Sequence, residues 1–291
     1  MSSITAIILA ALVVGVVGII VGFLLVTAGE KFKVEVDEKE VAIRAELPGN
    51  NCGGCGFPGC DGLAAAIAKG EAPANQCPVG GAPVAAKISA ILGVEVSAAE
   101  KQVAFVKCAG DCDSAQEKCN YFGIKDCRTA AVVPGRGTKK CTHGCMGFGS
   151  CVSACQFDAI HVVNGVAKVD RSKCVGCGAC TKVCPNGLIC LIPDSSVYVV
   201  QCSSQEKGKA VKEACSAGCL GCTACVKQCE HEAITMEGNV AVIDQSKCVK
   251  CGKCAEKCPA KVIRMRELEL RSVSKRKRAD PSGFALLFNF W

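Results

Sequence analysis

Three runs of this sequence carry cysteines in the order C-x2-C-x2-C-x3-C. They are Cys174, Cys177, Cys180, Cys184; Cys219, Cys222, Cys225, Cys229; and Cys248, Cys251, Cys254, Cys258. Three thiolates two residues apart on a loop wrap three corners of an iron–sulfur cubane. The fourth, set further along, reaches the other cluster of a pair. Gly176, Gly178, Gly221 and Gly252 permit tight backbone close to the sulfurs, and Pro185 and Pro259 follow the last cysteine of two runs. Zinc is the competing chemistry. A zinc ribbon closes one tetrahedral site with two separated C-x2-C pairs and has no use for a third and fourth cysteine in each run.

A fourth group is irregular: Cys141, Cys145, Cys151 and Cys155. The sequence repeats itself at an offset of about 74 residues. Under that offset Cys145, Cys151 and Cys155 fall on Cys219, Cys225 and Cys229, whereas Phe148 falls on the ligand Cys222. Cys141 falls on Cys215, so the expectation is that Cys141 replaces the missing ligand. The crossed pattern then gives one cluster on Cys141, Cys145, Cys151 and Cys184 and its partner on Cys174, Cys177, Cys180 and Cys155. The second unit uses Cys219, Cys222 and Cys225 with Cys258, and Cys248, Cys251 and Cys254 with Cys229. Gln156 and Glu230 stand where proline commonly follows the fourth cysteine, which removes no ligand.

Nearer the N-terminus, Cys52, Cys55, Cys60 and Cys77 are spaced C-x2-C-x4-C-x16-C among glycines. They fit a further cluster, or a zinc site. Cys108, Cys112, Cys119 and Cys127 are candidates for one more cluster. Cys190 reads as a small buried apolar residue, and Cys202 and Cys215 as buried thiols or as aids to a neighbouring cluster. The expectation is five [4Fe–4S] clusters, with a sixth open.

The elements that position these loops are short. AIHVVNGVAKVDRSKCVGCGACTKVCP from Ala159 matches AITMEGNVAVIDQSKCVKCGKCAEKCP from Ala233. Each unit holds two apolar runs around Asn164-Gly165 or Gly238-Asn239, a hairpin signal. Residues 62–69 read as a helix, 82–100 as a helix followed by a strand or loop, and 31–46 as a strand or linker. The chain has 27 cysteines against 10 phenylalanines, 2 tyrosines and 1 tryptophan. So few large aromatics leave the small modules short of core, and metal centres make up the difference.

Residues 4–28 carry no charge and are long enough to span a bilayer as a helix. No basic side chain precedes them, which argues against a cleaved signal. Lys31, Lys33, Lys39 and Arg44 follow, so the positive-inside rule puts the cluster domains in the cytoplasm. A reducing compartment removes most of the weight from disulfides. Gly15, Gly18 and Gly22 either let another helix pack closely or face lipid.

An N-terminal membrane helix, then LPGNNCGGCGFPGC and NQCPVGG, then cysteine repeats with CTHGCMGFGSCVSACQFDAI, resembles the B subunit of the Rnf complex, in its clostridial-type form with extra clusters. The resemblance runs to about residue 265. It implies a subunit of an ion-pumping ferredoxin:NAD+ oxidoreductase, a translocase. That subunit takes electrons from soluble reduced ferredoxin and passes them towards other membrane and NAD- or flavin-binding subunits. This chain has no Rossmann-type fingerprint of its own, so NAD+ reduction falls to a partner.

The expected fold is α+β in six parts: a single transmembrane anchor (1–28), a small [4Fe–4S] domain (29–100), a cysteine-containing connecting region (101–140), two tandem bacterial-type 2[4Fe–4S] ferredoxin-like domains (141–195 and 196–265) and a basic tail (266–291). The expected location is the cytoplasmic (inner) membrane. Net charge is +7. The run Lys275–Arg278 reads either as a contact to anionic lipid or a partner or as a solvated tail. Few aromatics are available to stack on bases, so nucleic acid is not expected. The alternatives are a membrane-anchored polyferredoxin serving another oxidoreductase and a zinc-binding scaffold.

Overall fold

A computed structural model describes residues 3–31, 37–94 and 100–266. The basic tail beyond Arg266, and the strand or loop expected around residues 95–99, lie outside these residues. Helix α1 spans Ser3–Lys31. Within it, Ile7–Gly29 is long and apolar enough to cross a membrane, and none of it is buried against the rest of the chain.

The next body is helical. Helix α2 (Glu38–Glu46) starts at Asp37, whose carboxylate accepts from Lys39 N at 2.9 Å. Glu38 and Glu40 in its first turn and Arg44 in its last complement the helix dipole. The charged stretch expected as a strand or linker is therefore a helix over 38–46, made by this cap and dipole complement, and it buries Ile43. Helix α3 (Cys60–Ala68) and helix α4 (Gly81–Leu92) close a core of Ile43, Leu63, Ile67 and Ile88 that also takes in Cys60 and Cys77.

The connecting region is built into the first repeat unit. Strand β1 (Gln102–Val106) and helix α5 (Cys127–Val132) come from it. Helix α6 (Ser150–Ser153) precedes the hairpin β2 (Ile160–Val163) and β3 (Val166–Val169). Helix α7 (Ala179–Val183) leads to β4 (Ile189–Pro193), which pairs antiparallel with β1 in the register Ala104↔Leu191.

The second unit repeats the plan. Strand β5 (Tyr198–Val200) and helices α8 (Gly208–Ala214) and α9 (Ala224–Gln228) precede the hairpin β6 (Ile234–Glu237) and β7 (Val240–Ile243). Helix α10 (Lys253–Glu256) and β8 (Ile263–Met265) complete it, with β8 paired to β5. Thus β1·β4 is the counterpart of β5·β8, and β2·β3 of β6·β7. The hairpin turns are as their residues require. Asn164 and Gly165 both have positive φ, the type I′ condition, and Gly238 has φ 62° ahead of Asn239, as in type II′.

Candidate metal centres

Each short helix α6, α7, α9 and α10 begins one residue before the third cysteine of its group. Its N-cap residue is left-handed: Gly149 (φ 82°), Gly178 (φ 73°), Thr223 (φ 57°) and Gly252 (φ 81°). That reversal turns the loop so that successive cysteines face one enclosure. Beyond α6, α7 and α10 the fourth cysteine receives a backbone N–H. Ala159 N donates to Cys155 Sγ, Leu188 N to Cys184 Sγ and Val262 N to Cys258 Sγ, each at 3.4 Å. Ala104 N donates to Cys174 Sγ at 3.3 Å. Hydrogen bonds to sulfur are a main control of cluster potential.

The enclosures sort the cysteines. Cys219, Cys222, Cys225 and Cys258 line one cavity, the crossed grouping expected from the spacing. Cys155 lies close enough to Cys177 and Cys180 for its charge to bear on both thiols, again the crossed partner. Cys248 and Cys251 bear on Cys254 in the same way, and Cys229 packs against the same core.

The irregular group divides differently from expectation. The cavity lined by Cys145, Cys151 and Cys184 is completed by Cys127, not by Cys141. Cys127 sits at the start of α5, and its N–H donates to Ser150 Oγ at 2.7 Å, which ties it to α6 beside Cys151. Cys141 faces a separate cavity with Cys108, Cys202 and Cys215. The four connecting-region candidates are therefore not brought together. Cys108 and Cys127 lie in different cavities, and Cys112 and Cys119 are exposed. No repeat spacing signals Cys127: at the offset of about 74 it falls on Gln201, not on a cysteine.

In the N-terminal body Cys55 and Cys60 bear on the Cys77 thiol, and Gly80 N donates to Cys77 Sγ at 3.3 Å. Asn51 Oδ1 accepts from Cys60 N at 2.8 Å and Gln76 Nε2 donates to Cys55 O at 3.1 Å, so side chains pin this loop. Its tip touches the first repeat unit: a Cβ on Gly54 would stand 2.7 Å from the Cys177 carbonyl oxygen.

Burial, reinforced by neighbouring cysteines, pushes Cys151 and Cys180 up to about 12 and Cys254 up to about 11. Thiols crowded in such enclosures do not ionise by themselves. A cationic iron core is the partner that would let them do so. Among the described residues no three His, Cys, Asp or Glu side chains converge as ligands of a single metal ion would. The sulfurs ring cavities instead, and the residues fit cubanes.

Known proteins agree with this chemistry. Residues 47–79 match the family model "putative Fe-S cluster", 166–189 the "4Fe-4S binding domain" and 218–262 the "4Fe-4S dicluster domain". The B subunit of the Na+-translocating ferredoxin:NAD+ oxidoreductase complex of Acetobacterium woodii is 46% identical over 252 residues, covering 86% of this chain and 75% of that one. The B subunit of the ion-translocating oxidoreductase complex of Methanosarcina acetivorans is 42% identical, covering 86% and 94%. The B subunit of the proton-translocating ferredoxin:NAD+ oxidoreductase complex of Clostridium ljungdahlii is 39% identical, covering 93% and 97%. As the motifs implied, the chain belongs to the B-subunit family of the ion-translocating ferredoxin:NAD+ oxidoreductases, the Rnf complexes, as an iron–sulfur electron-transfer subunit.

Proposed function

We propose that this subunit takes electrons from soluble reduced ferredoxin at the cytoplasmic side of the inner membrane. It passes them to the membrane and NAD- or flavin-binding subunits of a complex that also translocates ions. A single N-terminal span holds it at the membrane, oriented by the basic residues that follow it. Five [4Fe–4S] clusters supply one-electron redox chemistry when bound. Their ligands in this reading are Cys52, Cys55, Cys60, Cys77; Cys127, Cys145, Cys151, Cys184; Cys155, Cys174, Cys177, Cys180; Cys219, Cys222, Cys225, Cys258; and Cys229, Cys248, Cys251, Cys254.

The observation that carries the reading is the contact of the Cys52–Cys55 loop with the backbone of Cys177, together with two quartet-bearing units in tandem. Such packing gives an electron consecutive stops along one chain. The domain division follows the same logic: the pairing of β1 with β4 supports counting residues from about 101, expected as a cysteine-containing connecting region, with the first ferredoxin-like unit. Iron and acid-labile sulfide on anaerobically purified full-length protein test the reading. At least about twenty of each per chain are expected, four per cluster. A reproducible value near half of that, with stoichiometric zinc, overturns it.

A further inference from the structure

We infer that the face from Cys248 to Lys261 in the second unit is where an acidic electron carrier docks and hands its electron to the chain. This rests on the reading that electrons arrive from soluble reduced ferredoxin, and says where they enter. The two units differ in charge on this face. At the offset of about 74 residues Gly176, Ala179, Val183 and Gly187 of the first unit stand opposite Lys250, Lys253, Lys257 and Lys261. One change runs the other way, with Lys182 opposite Glu256, the one acidic residue between Cys248 and Lys261. Gly176 is buried and Ala179 and Val183 are half-buried, whereas the four lysines are all exposed.

The units also differ in what covers the loop. In the first, a Cβ on Gly176 would collide with the Gln102 carbonyl oxygen at β1, and the N-terminal cluster loop lies on Cys177 through Gly54. In the second, Val249 is 55% exposed, and Cys251 is exposed where Cys177 is half-buried. Among the cysteines of the five quartets only Cys222 and Cys251 are exposed, and both belong to this unit. Lys250 holds a left-handed backbone, φ 62°, between Cys248 and Cys251, where Gly176 has φ 70°. That conformation is costly for a residue with a Cβ. The lysine gains no partner for it within the chain: among the described residues Lys250, Lys257 and Lys261 form no ion pair. Lys253 is paired with Glu230 at 2.6 Å and lies close enough to Cys251 for their charges to interact.

Electron transfer weakens steeply with distance, so a diffusing carrier delivers where a ligand sulfur reaches the surface. Unpaired lysines around an apolar centre at Val249 steer an acidic partner to that sulfur and hold it briefly. One electron leaves the carrier, which is oxidised, and enters the quartet of Cys229, Cys248, Cys251 and Cys254, which is reduced. No bond is made or broken and no proton moves. A rival basic face carries Lys118, Lys125 and Arg136 with the exposed Phe122 and Ile124. The adjoining quartet, on Cys127, has no exposed cysteine.

The test uses iron-loaded full-length protein and reduced 2[4Fe–4S] ferredoxin. Lys250→Glu/Lys257→Glu/Lys261→Glu should keep the iron content and the EPR spectrum of the dithionite-reduced parent. Its second-order rate of reduction by ferredoxin, followed by stopped flow at low ionic strength, should fall at least about tenfold. The gap to the parent should close as salt rises. Lys118→Glu/Lys125→Glu/Arg136→Glu should stay within about twofold of the parent. Carbodiimide coupling of the parent to ferredoxin, which joins carboxylates to lysines, needs no variant. The mapped links should fall on Lys250, Lys257 and Lys261. An unchanged rate in the first variant, equal losses in both, or links confined to Lys118 and Lys125 overturn this docking face and leave ferredoxin as the donor. A parent reduced by dithionite but not by ferredoxin contradicts the ferredoxin reading itself.

Discussion

Ser150 Oγ accepts the backbone N–H of Cys127 at 2.7 Å and donates its own proton to the Asp126 carboxylate at 2.6 Å. One hydroxyl thus fastens the start of α5 to the start of α6 and delivers Cys127 to the enclosure of Cys145, Cys151 and Cys184. In the proposed ligand set the place that Phe148 leaves vacant goes to Cys127, 18 residues before Cys145, and not to the nearer Cys141, which lies outside that enclosure. Cys127→Ser should disturb one cluster of the first unit, read as loss of one EPR component. Ser150→Ala should leave the iron in place but speed its loss to a chelator, because the half-buried Cys127 N–H and the Asp126 carboxylate each lose a partner. An unchanged first-unit cluster in Cys127→Ser would remove Cys127 from the ligands.

Gly54 permits the close approach of the N-terminal cluster loop to Cys177, since a Cβ there would press on the Cys177 carbonyl oxygen. Gly54→Ala should push the two bodies apart. Iron content should hold while electron exchange between the N-terminal cluster and the rest slows, followed by rapid-freeze EPR. Equal rates in variant and parent would mean that electrons do not cross at this contact.

Thr223 occupies the left-handed N-cap position that glycine fills in the other three groups, at φ 57°. A β-branched residue there is strained by roughly 1–2 kcal/mol, partly offset by the entropy of a freer glycine in the unfolded chain. Thr223→Gly should therefore stabilise the loop by about 1 kcal/mol or less, seen as slower bleaching of the second unit on heating. Faster bleaching would show that the threonine side chain contributes more than its backbone costs.

The two units share a turn ahead of their second cysteine run. Asp170 Oδ1 accepts from Ser172 N at 2.9 Å and Ser172 Oγ at 2.6 Å, and Asp244 repeats both bonds to Ser246 at the same distances. The serine side-chain bond leads in holding each carboxyl below its ordinary value. A depressed folded-state pKa contributes stability above the unfolded value of 3.8, lost as pH falls through the lower folded one. The stability gap between parent and Asp170→Asn/Asp244→Asn should accordingly be flat from about pH 6 to 8 and narrow only in strong acid. A gap that changes across the neutral range would point to a different titrating group.

Membrane orientation is open to direct labelling. Cys112 and Cys119 are exposed and lie outside every quartet. A maleimide that cannot cross membranes should miss them in intact cells and reach them in inverted vesicles. Labelling in intact cells would reverse the topology.

Much of this was legible in the residues. The regular quartets follow from local spacing, and the hairpins from Asn164-Gly165 and Gly238-Asn239, because both signals act within a few residues. The repeat offset exposes Phe148 as a gap but not its remedy. Cys127 reaches Cys151 through a backbone bond to the Ser150 hydroxyl, and no local pattern encodes such a contact. Strand β1 escapes a sequence reading for a related reason: its five residues are short, and their partner β4 lies more than eighty residues on. The region counted as a connector is stitched to the second unit as well. Ala109 N donates to Gln201 O at 3.0 Å and Gln116 N to Ala214 O at 2.9 Å, long-range pairs that only the fold displays.

The central claim is that this chain relays electrons from ferredoxin through a series of clusters. Anaerobic titration of the purified full-length subunit with reduced ferredoxin, monitored by absorbance and EPR, tests it most directly. The account predicts uptake of several electrons per chain, with bleaching of the iron–sulfur absorbance and successive paramagnetic signals. A spectrum left unchanged by excess reduced ferredoxin, in protein loaded with iron, would contradict it.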